Sequence, residues 1–311
     1  MHRFHRLPPS DPSRRRLVLA ALAAPALPVL HGCAAPLPVQ LNAATTPAAQ
    51  AVLKESAEAH GLQAFKAIQD LNVSYAGEWR AFIGKLQPAL VDASFRGSSE
   101  ERLLLREGVV AQAHSGPGGR KQVLRRAGTS SPGDVQVWFN GEVARDAERR
   151  AAASLVADAY ALFLLGPLML VDRPLVVELA ETEWVNEHDC DVLRMQLVPG
   201  FGHARVDQLA LFIDRKQRLL RRVRFTLDGL ESTKGAIAEV EMYDHQTLHG
   251  VRWPTRFYER LIRPVRMPVH DWNLTGLDIN RGLKTADVEG SEFRGAAVAR
   301  AAVLPRRASV G

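Results

Sequence analysis

Cysteine is nearly missing from this 311-residue chain: there are two, Cys33 and Cys190, and one pair cannot make the dense disulfide framework of a small secreted domain. Long apolar runs are missing too. Leu17–Leu30 carries no charge but spans only fourteen residues, fewer than the roughly twenty a membrane-crossing helix needs, and no later run reaches eighteen. Catalytic signatures are also lacking. There is no G-x-S-x-G, no H-E-x-x-H and no glycine-rich phosphate loop; Gly116-Pro117-Gly118-Gly119 reads as a hairpin tip, since no helix is expected after it. Nor is there a strong excess of charge outside the N-terminus. Taking the five arginines and one aspartate of residues 1–32 from 40 basic and 34 acidic side chains leaves 35 and 33, a balance of +2, so the sequence pI of about 9.6 argues little for a nucleic-acid partner. The expectation is a protein that is not an enzyme, carries no cofactor or metal, and binds no nucleic acid.

The N-terminus is expected to be an address. Arg3, Arg6, Arg14, Arg15 and Arg16 precede the uncharged stretch, the layout of an export signal's basic head and apolar core. Ser13-Arg14-Arg15-Arg16-Leu17-Val18 resembles the twin-arginine export motif, a route that carries folded proteins. Leu30-His31-Gly32-Cys33 resembles the bacterial lipobox, in which the Cys33 thiol takes the diacylglyceryl group and palmitate follows. The alternative is an ordinary secretory signal cut near Ala34–Ala35, with Cys33 incidental. The expected layout is a signal peptide at 1–32, a lipidated tether at 33–47, a folded domain at 48–283 and a tail at 284–311, with the domain facing the periplasm and the outer membrane favoured over the inner.

Within the domain, Val52, Leu53, Ala57, Leu62, Phe65 and Ile68 fall at helical spacing, with Gly61 a weak point that could split the helix in two. Leu71, Val73, Tyr75 and Trp79 then alternate with polar residues as a half-buried strand does. After a loop at 84–99, short strands are expected at 101–107, 109–114, 120–126 and 135–140, the last closed by Asn140-Gly141. Residues 144–165 switch to a helical period that Gly166-Pro167 stops. The second half reads as strands at 175–181, 190–198, 208–214, 218–227, 235–244, 253–261 and 271–280. In 218–227, Leu219, Val223, Phe225 and Leu227 take one face and Arg218, Arg222 and Arg224 the other, which predicts a wet face. The fold class is α+β: a strongly curved antiparallel sheet, an incomplete β-barrel of about eleven strands, with helices packed on the concave side.

This order resembles the LolA/LolB periplasmic lipoprotein-carrier superfamily, including its lipoprotein-sorting-like domains. The resemblance rests on a helix running into LNVSYAGEW (71–79), on VWFNG (137–141) leading to an internal helix, and on LFIDRKQRLL (211–220) and HGVRWP (249–254) set between strands. It implies a half-barrel lidded by helices that holds acyl chains, and the expected anchor points to a tethered acceptor rather than a free shuttle.

Glu187-His188-Asp189-Cys190-Asp191 is dense in metal-ligand types, but neighbours in a strand alternate faces, so a solvated hairpin corner is expected. His245, His249 and His270 with Asp244 and Asp271 could assemble an acid/base pair. The five tryptophans, Trp79, Trp138, Trp184, Trp253 and Trp272, could fill a core or line a cavity. Tyr75, Trp79, Trp138 and Phe225 are the candidate ligand-binding residues. The leading expectation is a lipid-anchored protein that binds an acyl chain or other hydrophobic small molecule. A structural or assembly lipoprotein with a filled core, and a hydrolase using the late histidines and aspartates, are the alternatives.

Overall fold

A computed structural model describes residues 45–126 and 135–289 together with Leu37, Leu41 and Phe293. The expected signal, Arg14, Arg15, Cys33, most of the tether and most of the tail lie outside the described residues.

The chain enters through α1 (Pro47–Ala59), whose first turn is fixed by Pro47 and by Thr46, the side chain of which accepts from Ala49 N at 3.2 Å. Gly61 does split the helix. It has φ of +92°, and a Cβ there would sit 2.4 Å from the Gly250 carbonyl oxygen, so only glycine lets α2 (Leu62–Lys66) follow at a new angle. β1 (Asp70–Trp79) comes next. The loop expected at 84–99 is a strap built from α3 (Ala81–Leu86), α4 (Pro88–Val91) and a 3-10 turn at Ala93–Phe95. Helices of four to six residues are too short for a period to show in the sequence.

Five strands follow in hairpin order: β2 (Ser98–Leu104), β3 (Val109–Gly116), β4 (Gly119–Arg126), β5 (Val135–Phe139) and β6 (Glu142–Val143). Then come α5 (Ala147–Leu165) and α6 (Pro167–Leu170). Asp146 caps α5 by accepting from Arg149 N at 2.8 Å, and Gly166 ends it. A second run of strands returns: β7 (Val177–Val185), β8 (His188–Leu197), β9 (Asp207–Asp214), β10 (Leu220–Thr226) and β11 (Ile237–Tyr243). A small separate hairpin, β12 (Gln246–Leu248) with β13 (Val251–Trp253), precedes β14 (Arg256–Arg263), β15 (Met267–Ile279) and α7 (Thr285–Val288).

Thirteen strands form one antiparallel sheet, two more than about eleven, in the order β6-β5-β4-β3-β2-β1-β15-β14-β11-β10-β9-β8-β7. The two-residue β6 and the β12–β13 hairpin are too brief for alternation to reveal. The chain leaves the sheet at one edge, β6, and re-enters at the other, β7. Thirteen flat strands would be about 58 Å wide at ~4.8 Å spacing, whereas α5, with 19 residues, is about 28 Å long. The sheet is not flat: it curls, with α5 on its inner side. The sheet stays open, and α1 and α5 occupy its concave side, α1 against β7 and β8, α5 against β3, β4 and β5. Among the described residues no helix is long and apolar enough to cross a membrane.

One expectation about the sheet is corrected. Arg222 and Arg224 do not face water; both are buried. Register places Arg222 opposite Glu241, Arg224 opposite Glu239, and Glu239 opposite Arg260. The resulting pairs close at 2.6 Å for Arg222–Glu241, 3.0 Å for Arg224–Glu239 and 2.7 Å for Arg260–Glu239. Opposite charges directly across strands pack the face with ion pairs instead of solvent, and both guanidinium groups lie over the Phe212 ring.

Candidate functional site

The concave face has two unlike halves. Under β8–β11 the inward positions are Leu193, Leu209, Leu211, Val223, Phe225 and Val240, all buried in the main apolar cluster. Across β1–β4 the inward alternation carries polar residues. Register lines up Tyr75 with Ser99, Ser99 with His114, and His114 with Lys121, while Glu101 faces Gln112 beside them. Glu101, Gln112, His114 and Lys121 are nevertheless buried, because the strap and α5 lie above them.

The strap lowers Arg96 into this polar half. Arg96 Nε donates to the Val91 carbonyl at 3.2 Å, and its guanidinium sits 5.6 Å from the centre of the Trp79 ring and 5.9 Å from that of Tyr160. Its Nη2 is buried without a hydrogen-bond partner, as are Glu101 Oε2, Gln112 Oε1 and His114 Nε2. Glu101 Oε1 accepts from Gln112 Nε2 at 2.5 Å. Lys121 is held by Asp92 of the strap.

Beside Arg96 four rings stack across three strands. Trp79 on β1 lies 4.1 Å from its register partner His270 on β15; His270 lies 4.5 Å from Trp272, and Trp272 lies 4.9 Å from Phe257 on β14. Tyr160 of α5 stacks on Trp272 at 5.2 Å and its hydroxyl meets His270 Nδ1 at 2.9 Å. Between these rings and the strap is a small solvent-connected recess of about 10 Å³, walled by Tyr75, Trp79, Arg96, Tyr160, His270 and Trp272.

Burial sets the charge state here. It pushes Glu101 and Glu259 up to about 7, in both cases against the pull of Arg96. It holds His114 and His270 well below the usual imidazole range, with Arg96 adding to the effect. Lys121 falls to about 8 through burial, despite Asp92. The histidines of the recess are therefore neutral near pH 7, and its two nearby carboxyls are half-protonated.

A second recess, about 50 Å³, opens between α5, α6 and the β8–β9 connection, with Leu162, Met169, Leu197 and Phe201 in its wall. Its acid, Asp158, is taken up by Arg125 at 3.1 Å and by Gly202 N at 2.8 Å.

Of the four candidate ligand-binding residues, the structure brings together Tyr75 and Trp79. Phe225 lies in the filled half, packed against Phe163 at 5.3 Å and Phe201 at 5.7 Å. Trp138 belongs to a separate cluster with Leu104, Val109, Leu124 and Val288. Trp253 is fully buried and Trp184 is exposed. The late histidines do not converge. His245 meets His60 edge-on at 5.7 Å, His249 is exposed, and His270 is in the ring stack. At the 187–191 corner, His188 pairs with Asp214 at 2.9 Å, Asp189 and Asp191 with Arg215, and Cys190 is buried with its thiol pushed up to about 12 by that burial. Among the described residues no three His, Cys, Asp or Glu side chains are grouped to hold a metal.

Arg96, Glu101, His114 and Glu259 were not singled out from sequence. Their signal is a broken alternation: Glu101 shares a face with Leu103, Gln112 and His114 with Val110, and Lys121 with Val123.

No family model matches the sequence. Its structure is similar to that of a DUF1329 family protein from Desulfovibrio piger (12% identity, 78% of this chain and 98% of that chain, TM-score 0.47). It is also similar to a LolA superfamily protein from Nitrosomonas europaea (11%, 78% and 97%, TM-score 0.41) and to an outer membrane lipoprotein-sorting protein domain from Vibrio parahaemolyticus (10%, 78% and 96%, TM-score 0.39). These are distant likenesses, and no residue role passes from those proteins to this one. Among curated proteins, an 81-residue stretch is 31% identical to a leucine–tRNA ligase of Clostridium beijerinckii, covering 22% of this chain and 10% of the ligase. The chain spans about a tenth of that protein's length.

Proposed function

We propose that the chain is an envelope protein, exported through the signal that contains Arg14 and Arg15, anchored by lipid at Cys33 and facing the periplasm, whose domain holds a small hydrophobic ligand without transforming it. The observation that carries this reading is the ring stack of Trp79, His270 and Trp272 with one side open to the recess. Trp79, half-buried at the end of the stack, offers apolar contact area that the buried rings behind it hold in place. Tyr75 and Trp79 are the ligand's proposed contacts. Fluorescence titration of the full chain with 1-naphthol, a neutral aromatic probe, tests it. Saturable quenching in the native protein, weakened at least tenfold in Trp79→Ala and unchanged in Trp184→Ser, is expected. Absence of saturable binding would leave the rival reading, a structural lipoprotein with a filled core, which the buried Phe225 favours.

A further inference from the structure

The recess is walled by apolar rings, yet its floor holds a buried guanidinium nitrogen with nothing to donate to. A cationic donor shielded from water and left without an acceptor is costly, and in the recess wall Arg96 Nη2 is such a donor. Lys121, the other buried cation beneath the strap, is already held by Asp92. Trp79 and Tyr160 flank the Arg96 guanidinium, so an acceptor that reaches Nη2 would extend its own body along the half-buried Trp79.

We propose that the recess is a binding site for a small monocarboxylate with a flat or short apolar body, its carboxylate received by Arg96 Nη2 and its body laid against Trp79, the one partly exposed ring of the stack. This rests on the apolar-ligand reading above and deepens it by naming the head group. A guanidinium fork matches a carboxylate in plane and charge. A dianion such as phosphate fits less well, because Glu101 and Glu259 also face Arg96 and would oppose a second negative charge.

The same two carboxyls make binding depend on pH. Glu101 faces Arg96 from the strap, Tyr75 from β1 and Tyr160 from α5; Glu259 faces Arg96 and Tyr160; His114, His270 and Lys121 also face Arg96. Both histidines are neutral throughout the range of interest. With a carboxyl titrating near 7, ionisation of Glu101 above that pH puts a negative charge beside the guanidinium and competes with the ligand. The protonated fraction drops from roughly nine tenths at pH 6 to about one tenth at pH 8, so a carboxylate that needs the protonated form binds about tenfold more weakly at pH 8.

The test is calorimetric titration of the full chain with benzoate and with benzamide, its neutral isostere, at pH 6 and pH 8. Expected are at least tenfold tighter binding of benzoate than of benzamide at pH 6, about tenfold weakening of benzoate alone at pH 8, and loss of the benzoate preference in Arg96→Gln. The native protein's pH series needs no variant, so a folding defect in Arg96→Gln leaves it decisive. Equal binding of benzoate and benzamide at pH 6 overturns the carboxylate assignment while leaving the apolar-ligand reading standing. Binding of neither defeats both.

Discussion

The two halves of the concave face are built by the same rule and filled differently. Under β8–β11, the inward positions Leu193, Leu209, Leu211, Val223, Phe225 and Val240 are apolar and buried: Phe225 is 1% exposed, with Phe163 of α5 and Phe201 closing over it. Under the strap the same alternation delivers Glu101, Gln112, His114 and Lys121, which are just as buried; Lys121 is paired with Asp92, but the other three each keep a polar atom without a partner. One half spends its burial on cohesion. The other keeps polar groups desolvated at a cost in stability, and such local violations of a folding rule are what functional sites look like.

The comparison can be broken most forcefully in the filled half. Phe225→Ala removes a fully buried ring from a closed cluster and is expected to destabilise by about 3–5 kcal/mol in urea unfolding; a loss below about 1 kcal/mol would mean that this half, too, borders open space. In the polar half, Glu101→Gln is expected to act in the opposite direction. Burial raises this carboxyl from 4.5 to about 7, so the folded state favours its protonated form: the penalty is absent below pH 4.5, grows as pH rises to 7 and is complete above it. Glutamine escapes the penalty, so the variant should be more stable than the native protein by up to about 3 kcal/mol at pH 8, with the gain vanishing near pH 4.5. A pH-independent difference would show that Glu101 is not held in the way described.

Trp79→Ala sharpens the contrast further. Trp79 is half-buried and already borders the recess, so its removal should cost about 1–2 kcal/mol, clearly less than loss of Phe225, while 1-naphthol binding weakens. Trp184, 67% exposed, belongs to neither half. Trp184→Ser should change the urea midpoint by less than the equivalent of about 0.5 kcal/mol.

Most of the architecture was legible because it rests on period. Strand alternation at 71–79 and 218–227, the helical run that became α5, the stop at Gly166-Pro167 and the split at Gly61 each follow from local chemistry. The strap was not legible, since its helices are shorter than the period that would reveal them. The wet face assigned to Arg222 and Arg224 was misjudged because register, not alternation, decides whether a charge finds its partner across the sheet. The candidate site was half legible. Tyr75 and Trp79 stand out as aromatics on strand faces, but Phe225 lies in the filled half and Trp138 on the opposite side of the sheet. Arg96 reaches the recess through the path of the strap, which no local pattern encodes.

The central claim is that ligand enters under the strap and not into the filled half. The five tryptophans report on it directly, because Trp79 is half-buried beside the recess while Trp253 and Trp272 are buried in the main cluster, Trp138 lies in a separate one and Trp184 is at the surface. Fluorine NMR of the full chain carrying 5-fluorotryptophan, titrated with benzoate at pH 6, is predicted to move the Trp79 resonance saturably, with Trp138, Trp184 and Trp253 unchanged. Movement of Trp253 or Trp138 instead, or of no resonance at all, would contradict it.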